Sequence, residues 1–427
     1  MKLYSFEKSE QMLELAKQVF PGGVQASRFQ LIYGSSPVYI TKGKGSHCWD
    51  VDGNEFIDFI LSFGPIILGY AYPKVNQAVK RQLEEGVLLT FNPPLQNQLL
   101  KKLIEIIPCA EMATLHKTGS EATSASIRIA RAFTGKNKVA MCGYHGWHDW
   151  CVRGGGTTTV PWERPPIEKT SQVPGVPPSI KQDIYEYDAN DLTSLERILV
   201  ENKDEIAAVI IAPEEIVLSP LKQTLQEIKQ MTHQHEVVLI FDEIKTGFRI
   251  SLGGVQEYLG VIPDLTTVSK GMANGFPIAA VVGKKEIMEA FTKTAISGTF
   301  NPETIAIIAA LTTIEELETF QGPQHFWSLG EKLITGLNNL AENMKIEAEA
   351  TGWPLAPMPF LRFKYEDLKL REAIRRDFFT RVIRKGILLH PAHNWFISLS
   401  HTKKDVEHTL TICEEALTVA KQAHVKK

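Results

Sequence analysis

Two side chains 28 residues apart stand where a chain of this pattern can do chemistry. Residues 237–241, Val-Val-Leu-Ile-Phe, predict a buried strand, and the run ends in Asp242-Glu243. Ligands of parallel sheets sit beyond the carboxyl ends of the strands, so a carboxylate there can face a cleft. Capping of a following helix is the plainer use of Asp242. Within Pro263-Asp264-Leu265-Thr266-Thr267-Val268-Ser269 a second short apolar strand is expected, followed by Lys270 and a Gly-rich turn, Gly271 to Gly275. A lone lysine is usually a solvated surface group. Set beside a strand-end carboxylate, it suggests a different use. A carboxylate can pair with a pyridinium nitrogen, and a lysine can form an imine with an aldehyde. Once displaced by a substrate amine, the lysine can move a proton as a general base.

Such a cofactor, pyridoxal phosphate (PLP), also needs a seat for its phosphate. Lys117-Thr118-Gly119-Ser120-Glu121-Ala122-Thr123 lies between a predicted strand (112–115) and a predicted helix (122–133). Gly119 permits close approach of the backbone. Ser120 and the free N–H groups of the helix start can bind an anion, although a simple N-cap reads the same way. Tyr144 follows the predicted strand 139–142 and is placed to stack on a pyridine ring. His145, His148 and Asp149 share an apparent loop whose HxxHD spacing is not the helical HExxH of a zinc site, so no metal is expected there or at His390 and His393.

The elements that must position these groups follow an α/β order. From about residue 112 to 283, short apolar strands alternate with helical segments, which predicts βαβ units and a mostly parallel sheet covered by helices. Strands are expected at 139–142, 209–212, 237–241 and 278–282. Before this lie a helix over 9–19 with the apolar stripe Met12, Leu13, Ala16 and Val19, strands at 38–40, 47–51 and 55–59, and helices after Pro73 and Pro94. After it, helices at 329–344, 370–383 and 404–421 with strands at 360–363 and 395–399 predict a smaller α+β domain. The expected division is 1–65 joining the small domain, 66–320 as the large cofactor-binding domain, and 321–427 as the rest of the small one. Residues 153–178, rich in Gly, Thr and Pro, predict a long functional loop.

With 427 residues, 44% hydrophobic and 22% charged, the chain has the composition of a soluble globular protein of about two domains. A net charge of −3 gives no electrostatic case for nucleic acid or an anionic membrane. The first residues lack the apolar core of a signal peptide, and no apolar run reaches membrane-spanning length. Five scattered cysteines without a CxxC pair suggest free thiols and a cytoplasmic location.

The chain resembles a class III PLP-dependent aminotransferase of fold type I, in the glutamate-1-semialdehyde aminomutase-like branch. The resemblance covers about residues 20–420. It rests on Phe20-Pro21-Gly22-Gly23-Val24, Trp49-Asp50-Val51-Asp52-Gly53-Asn54, Gly64-Pro65-Ile66-Ile67-Leu68-Gly69, Thr118-Gly119-Ser120-Glu121-Ala122, Tyr144-His145-Gly146, and Ile240-Phe241-Asp242-Glu243 with Thr246-Gly247-Phe248-Arg249. Pro263-Asp264-Leu265-Thr266-Thr267 before Lys270, and Gly298-Thr299-Phe300 before Asn301-Pro302, complete it. The resemblance implies that Lys270 is the Schiff-base lysine and Asp242 the pyridinium partner. It places Gly119, Ser120 and Thr299 on phosphate, Thr299 reaching the neighbouring subunit's cofactor in a homodimer. It sets Tyr144 on the ring and Glu214 near the cofactor. Arg28 and His145 are its candidate substrate contacts.

The departures fall on the substrate side. Gln25-Ala26-Ser27-Arg28 is shorter than the aminomutase pattern around its carboxylate-gripping Arg, and Pro391-Ala392-His393-Asn394 lacks the branch's acidic loop. Glu215 stands where a proline usually follows Glu214, and Trp147-His148-Asp149-Trp150 is bulkier than the branch's segment. The expected activity is amino transfer between an amino donor and an aldehyde or ketone acceptor, sugar-like or secondary-metabolite acceptors included. A glutamate-1-semialdehyde 2,1-aminomutase-type isomerase is the alternative. A cofactor-binding protein without catalysis and a plain nucleotide-binding domain form a third class. The missing Gly-x-Gly-x-x-Gly fingerprint speaks against the nucleotide domain.

Overall fold

The computed structural model describes residues 3–25, 33, 36–152 and 173–425. Arg28 and residues 153–172 of the expected loop lie outside them. In chain order the elements are α1 (Glu7–Ala16), β1 (Ile40–Lys44), β2 (His47–Asp50), β3 (Glu55–Asp58), α2 (Pro73–Glu85), α3 (Pro94–Ile106), β4 (Met112–His116), α4 (Gly119–Thr134) and β5 (Lys138–Cys142). They continue with β6 (Ile184–Glu186), α5 (Thr193–Glu201), β7 (Ile206–Ile211), α6 (Leu221–Gln234), β8 (Val238–Asp242), α7 (Val255–Leu259), β9 (Leu265–Val268), β10 (Ala279–Gly283), α8 (Lys285–Met288) and α9 (Thr304–Thr319). The last are α10 (Gly322–Asn343), β11 (Ala348–Gly352), β12 (Pro359–Phe363), α11 (Leu368–Arg384), β13 (Ile387–Leu388) and α12 (Lys403–His424).

The chain divides into two compact units, Pro73–Gln324 and Met1–Tyr72 with His325–Lys427. The first holds a seven-stranded sheet in the order β4-β10-β9-β8-β7-β5-β6. From β9 to β6 the neighbours are parallel, whereas β10 runs antiparallel to both β4 and β9. Every residue of β7, β8, β9 and β10 is buried, as strands covered on both faces require. Ala122, Ile129, Val139, Ile210, Ile240 and Val281 share one of its cores. Because β10 is antiparallel to both its neighbours, β4 points the same way as β5, β7, β8 and β9. With β6, which is parallel to β5, six strands therefore deliver their carboxyl ends to one edge.

In the terminal unit β1, β2 and β3 form an antiparallel sheet, and β13 joins β3 in parallel. A separate β11–β12 ladder completes it. The expected strand over 395–399 is not a strand. Trp395, Phe396 and Ile397 are buried there, but single bonds to Pro359 O and Phe59 O replace a ladder. The apolar run reports burial without pairing. The expected stripe of the first helix is also corrected: Leu13 is buried, but Met12 and Val19 are exposed, and the helix stops at Ala16.

Candidate active site

Every candidate of the large unit but one emerges at the edge where β4, β5, β7, β8 and β9 end. After β4, Thr118 caps α4 in a capping box. Its hydroxyl accepts from Glu121 N, while the Glu121 carboxylate accepts from the N–H of Thr118 at 2.7 Å and of Lys117 at 2.9 Å. Ala122 N is already bonded to Thr118 O. The first helical N–H groups, those of Gly119 and Ser120, are left for an incoming anion, with the Ser120 hydroxyl and the helix dipole beside them.

Glycines press this cradle against its neighbours. A Cβ on Gly119 would fall 2.7 Å from Ile244 Cδ1, two residues past Asp242. A Cβ on Gly146 would fall 2.2 Å from Ser120 Oγ, and Gly146 also holds a φ of +114° that disfavours any side chain. The cradle, the Tyr144-His145-Gly146 loop and the end of β8 are thus in direct contact.

Asp242 is buried at the end of β8, and both its oxygens are held. Oδ1 accepts from Ile244 N at 3.1 Å and from Thr267 Oγ1 at 3.3 Å. Oδ2 lies 2.8 Å from His145 Nδ1, and His145 is fully buried. The other ring nitrogen, Nε2, faces Cys142 O at 3.1 Å. A carbonyl only accepts, so Nε2 carries a proton, and the proton of the Nδ1 contact is shared with the Asp242 carboxylate. Both ring nitrogens of His145 are thus engaged within this edge. The 97-residue separation of His145 and Asp242 gave no sign of this pairing in the sequence.

Lys270 follows β9, whose Thr267 is registered beside Asp242. It takes a φ of 36°, a left-handed conformation that a lysine adopts only where its surroundings impose it. Glu214 sits in the short turn after β7 and pairs through Oε1 with Lys245 Nζ at 3.1 Å, both side chains nearly buried. Tyr144, after β5, is 38% exposed and so keeps an accessible ring. Thr299 is the exception. It is exposed in the loop before α9, and among the described residues no hydrogen bond joins it to the others. That loop is nonetheless tied back to the cradle, because Glu303 caps α9 and binds Lys117 Nζ at 2.9 Å.

Burial pushes the His390 imidazole down to about 4, and a nearby Arg375 adds to this. Among the described residues no three His, Cys, Asp or Glu side chains gather as metal ligands would. No helix among them is long and apolar enough to cross a membrane.

Comparison with known proteins places this geometry. Residues 32–417 match the family Aminotransferase class-III. A 3-aminobutyryl-CoA aminotransferase of Cloacimonas acidaminovorans is 40% identical, over 97% of this chain and 98% of its own length. A glutamate-1-semialdehyde 2,1-aminomutase of Archaeoglobus fulgidus is 35% identical over 96% of this chain and 99% of its own. Among solved structures, an omega-transaminase from Sphaerobacter thermophilus superposes with a TM-score of 0.86 at 27% identity, covering 97% of this chain and 98% of that one. Similarity this extensive leaves no part of the catalytic unit unaccounted for: the chain belongs to the class-III aminotransferases, PLP-dependent transferases of fold type I that move an amino group between an amino donor and a carbonyl acceptor.

Proposed function

We propose that this aminotransferase works on the amine of a β-amino acyl thioester or a closely similar β-amino compound. The support is the 40% identity, over 97% of the chain, with a relative named for 3-aminobutyryl-CoA, against 35% for the aminomutase.

The described residues fit PLP. The contacts at Gly119 and Gly146 leave a cradle that a Cβ would fill, the capping box leaves two N–H donors, and a buried carboxylate stands one strand from the lysine segment. Gly119 and Ser120 would hold the phosphate and Tyr144 the ring face. Lys270 Nζ, on the segment that leaves β9 beside Asp242, would carry the covalent link. When bound, PLP supplies an aldehyde for the amine and an electron-withdrawing ring. Asp242 would face the ring nitrogen and favour its protonated form, and His145 would keep Asp242 oriented. Lys270 Nζ would be the base that moves the proton at the substrate carbon. Glu214, backed by Lys245, puts a negative charge beside the cofactor.

The reading extends to a cytoplasmic homodimer in which Thr299 completes the partner's phosphate seat. The exposure of Thr299 supports the dimer, and five buried free cysteines suit a reducing compartment. The test is stoichiometric. Holoenzyme mixed with 3-aminobutyryl-CoA and no acceptor should convert about one equivalent per active site and stop, then restart when a 2-oxo acid is added, as half-reaction logic requires. Repeated turnover of glutamate-1-semialdehyde with no added partner would reverse the assignment in favour of the isomerase.

A further inference from the structure

Hydrogen bonds at both nitrogens fix His145 within its own plane, at Asp242 Oδ2 and at Cys142 O. They are softer against rotation of the ring about its Cβ–Cγ bond, which bends both contacts before it stretches them. That motion would swing Nδ1–H out of the carboxylate plane and weaken the bond. On one side of the ring the Trp150 indole stacks in an offset arrangement, 6.2 Å away centroid to centroid with the planes only 7° apart.

Trp150 is itself fixed. Its Nε1 donates to Ser124 Oγ at 2.8 Å, and the Ser124 hydroxyl lies 2.7 Å from His148 Nδ1. An indole N–H can only donate, so Ser124 accepts from Trp150 and passes its own proton towards His148. One residue earlier, Thr123 Oγ1 donates to His145 O at 2.7 Å and pins the backbone of the same histidine. Thr123 and Ser124 stand in the second turn of α4, whose first turn carries Gly119 and Ser120. The anion cradle and the support of Asp242 are mounted on one helix.

We propose that Trp150, held by Ser124 and His148, is a positioning residue that keeps the His145 ring in plane and through it orients the Asp242 carboxylate toward the cofactor's ring nitrogen. This rests on the role given to Asp242 above. Trp150 also packs against the core of the unit, so a merely space-filling role would touch stability alone.

The experiment uses purified holoenzyme and follows the pH titration of the cofactor's visible absorbance, with kcat, KM and the thermal midpoint measured in parallel. Trp150→Leu should shift the midpoint of that titration and lower kcat roughly ten- to a hundredfold, the usual cost of a small misplacement, with KM changed by less than about threefold. Trp150→Phe keeps a ring over His145 and should recover most of the loss. Ser124→Ala, which frees the indole, should shift the titration the same way by a smaller amount. If Trp150→Leu does not fold, Ser124→Ala and Trp150→Phe against wild type carry the test. A lowered thermal midpoint with an unmoved titration and kcat in these variants overturns the proposal. Asp242→Asn is run beside them. If it moves the spectrum and the Trp150 and Ser124 variants do not, only the brace is lost. If it leaves the spectrum unmoved, the reading of Asp242 falls and takes the brace with it.

Discussion

Asp242 and Glu243 are adjacent buried carboxylates at the end of one strand, and they face two different regions. Glu243 turns into a closed pocket at the start of α7. Its oxygens accept from Val255 N at 2.5 Å, Gln256 N at 3.2 Å, Gln256 Nε2 at 3.1 Å and Thr246 Oγ1 at 3.0 Å. A Cβ on Gly254 would lie 2.1 Å from Glu243 Oε2, so the pocket is filled. Burial pushes this carboxyl up to about 7 against the pull of those four donors. Asp242 turns to the edge shared with the cradle, and its short contact is to an imidazole, a group that can itself hold a proton. Burial alone therefore does not distinguish the two carboxylates. The chemistry of their partners does: amide and hydroxyl donors surround Glu243, whereas an imidazole meets Asp242, the proposed pyridinium partner.

The contrast can be broken most severely at the lysine. Lys270→Ala should abolish turnover while the protein still folds, and borohydride reduction of wild-type holoenzyme followed by peptide mapping should label Lys270. A label on Lys117 or Lys245 would remove Lys270 from its role. Next in size is Asp242→Asn, which should retain PLP yet lose on the order of a hundred- to a thousandfold in kcat, as loss of a preorganised charge does. Near-normal turnover would put Asp242 in the same category as its neighbour. Glu243→Gln should behave in the opposite sense. It turns an amide donor toward four donors and should cost on the order of 2–4 kcal/mol in denaturant unfolding, with the kcat of folded enzyme kept within about threefold. A large kcat loss at unchanged stability would erase the distinction.

The smallest effect is expected at a titratable pair of the terminal unit. His47 lies between Glu55, at 2.9 Å, and Asp405, at 3.5 Å. Its bond to Asp405 raises the imidazole despite partial burial. Burial pushes Asp405 up, but bonds from His47 and from the backbone and hydroxyl of Thr402 outweigh it and hold this carboxyl below the usual range. A histidine raised in the folded state contributes fully below its unfolded value of about 6.5 and loses that contribution as pH rises through the folded value. The depressed Asp405 contributes above its unfolded value of about 4 and loses it as pH falls through the folded one. Between those limits both act. The thermal midpoint of wild type should fall from mildly acidic to alkaline pH more than that of His47→Gln, by no more than about two degrees because the pair is partly exposed. Identical pH profiles would show that the pair contributes nothing.

Asp242 and Lys270 are legible as candidates because each stands at the close of an apolar run. Residues 237–241 and the short run before Lys270 read as strands by composition, and the structure holds β8 and β9 there. Local signals also marked the cradle, since Thr118 and Glu121 form a capping box at the expected spacing. Pairings across the fold left no such trace. His145 is a candidate substrate contact by resemblance, and nothing in the sequence marks Asp242, from another strand, as the partner of its ring. Ser124 and Trp150 are a mid-helix serine and one tryptophan among seven, and neither is marked by spacing. In the terminal unit β13 is only two residues long, too short to carry a period, while the longer apolar run at 395–399 mimics a strand that does not form.

Gly146 against Ser120 and Gly119 against Ile244 also set a gauge. The proposed phosphate seat and the proposed ring-nitrogen carboxylate are joined by contacts through the Ile244 side chain and the Ser120 hydroxyl, so the span from one to the other is set by this packing. A ligand is then measured by length before it is read by charge. A PLP homologue with one extra methylene between ring and phosphate would have to give up either the Gly119–Ser120 donors or Asp242. A pyridoxal lacking the phosphate would keep its ring contacts and lose its ruler.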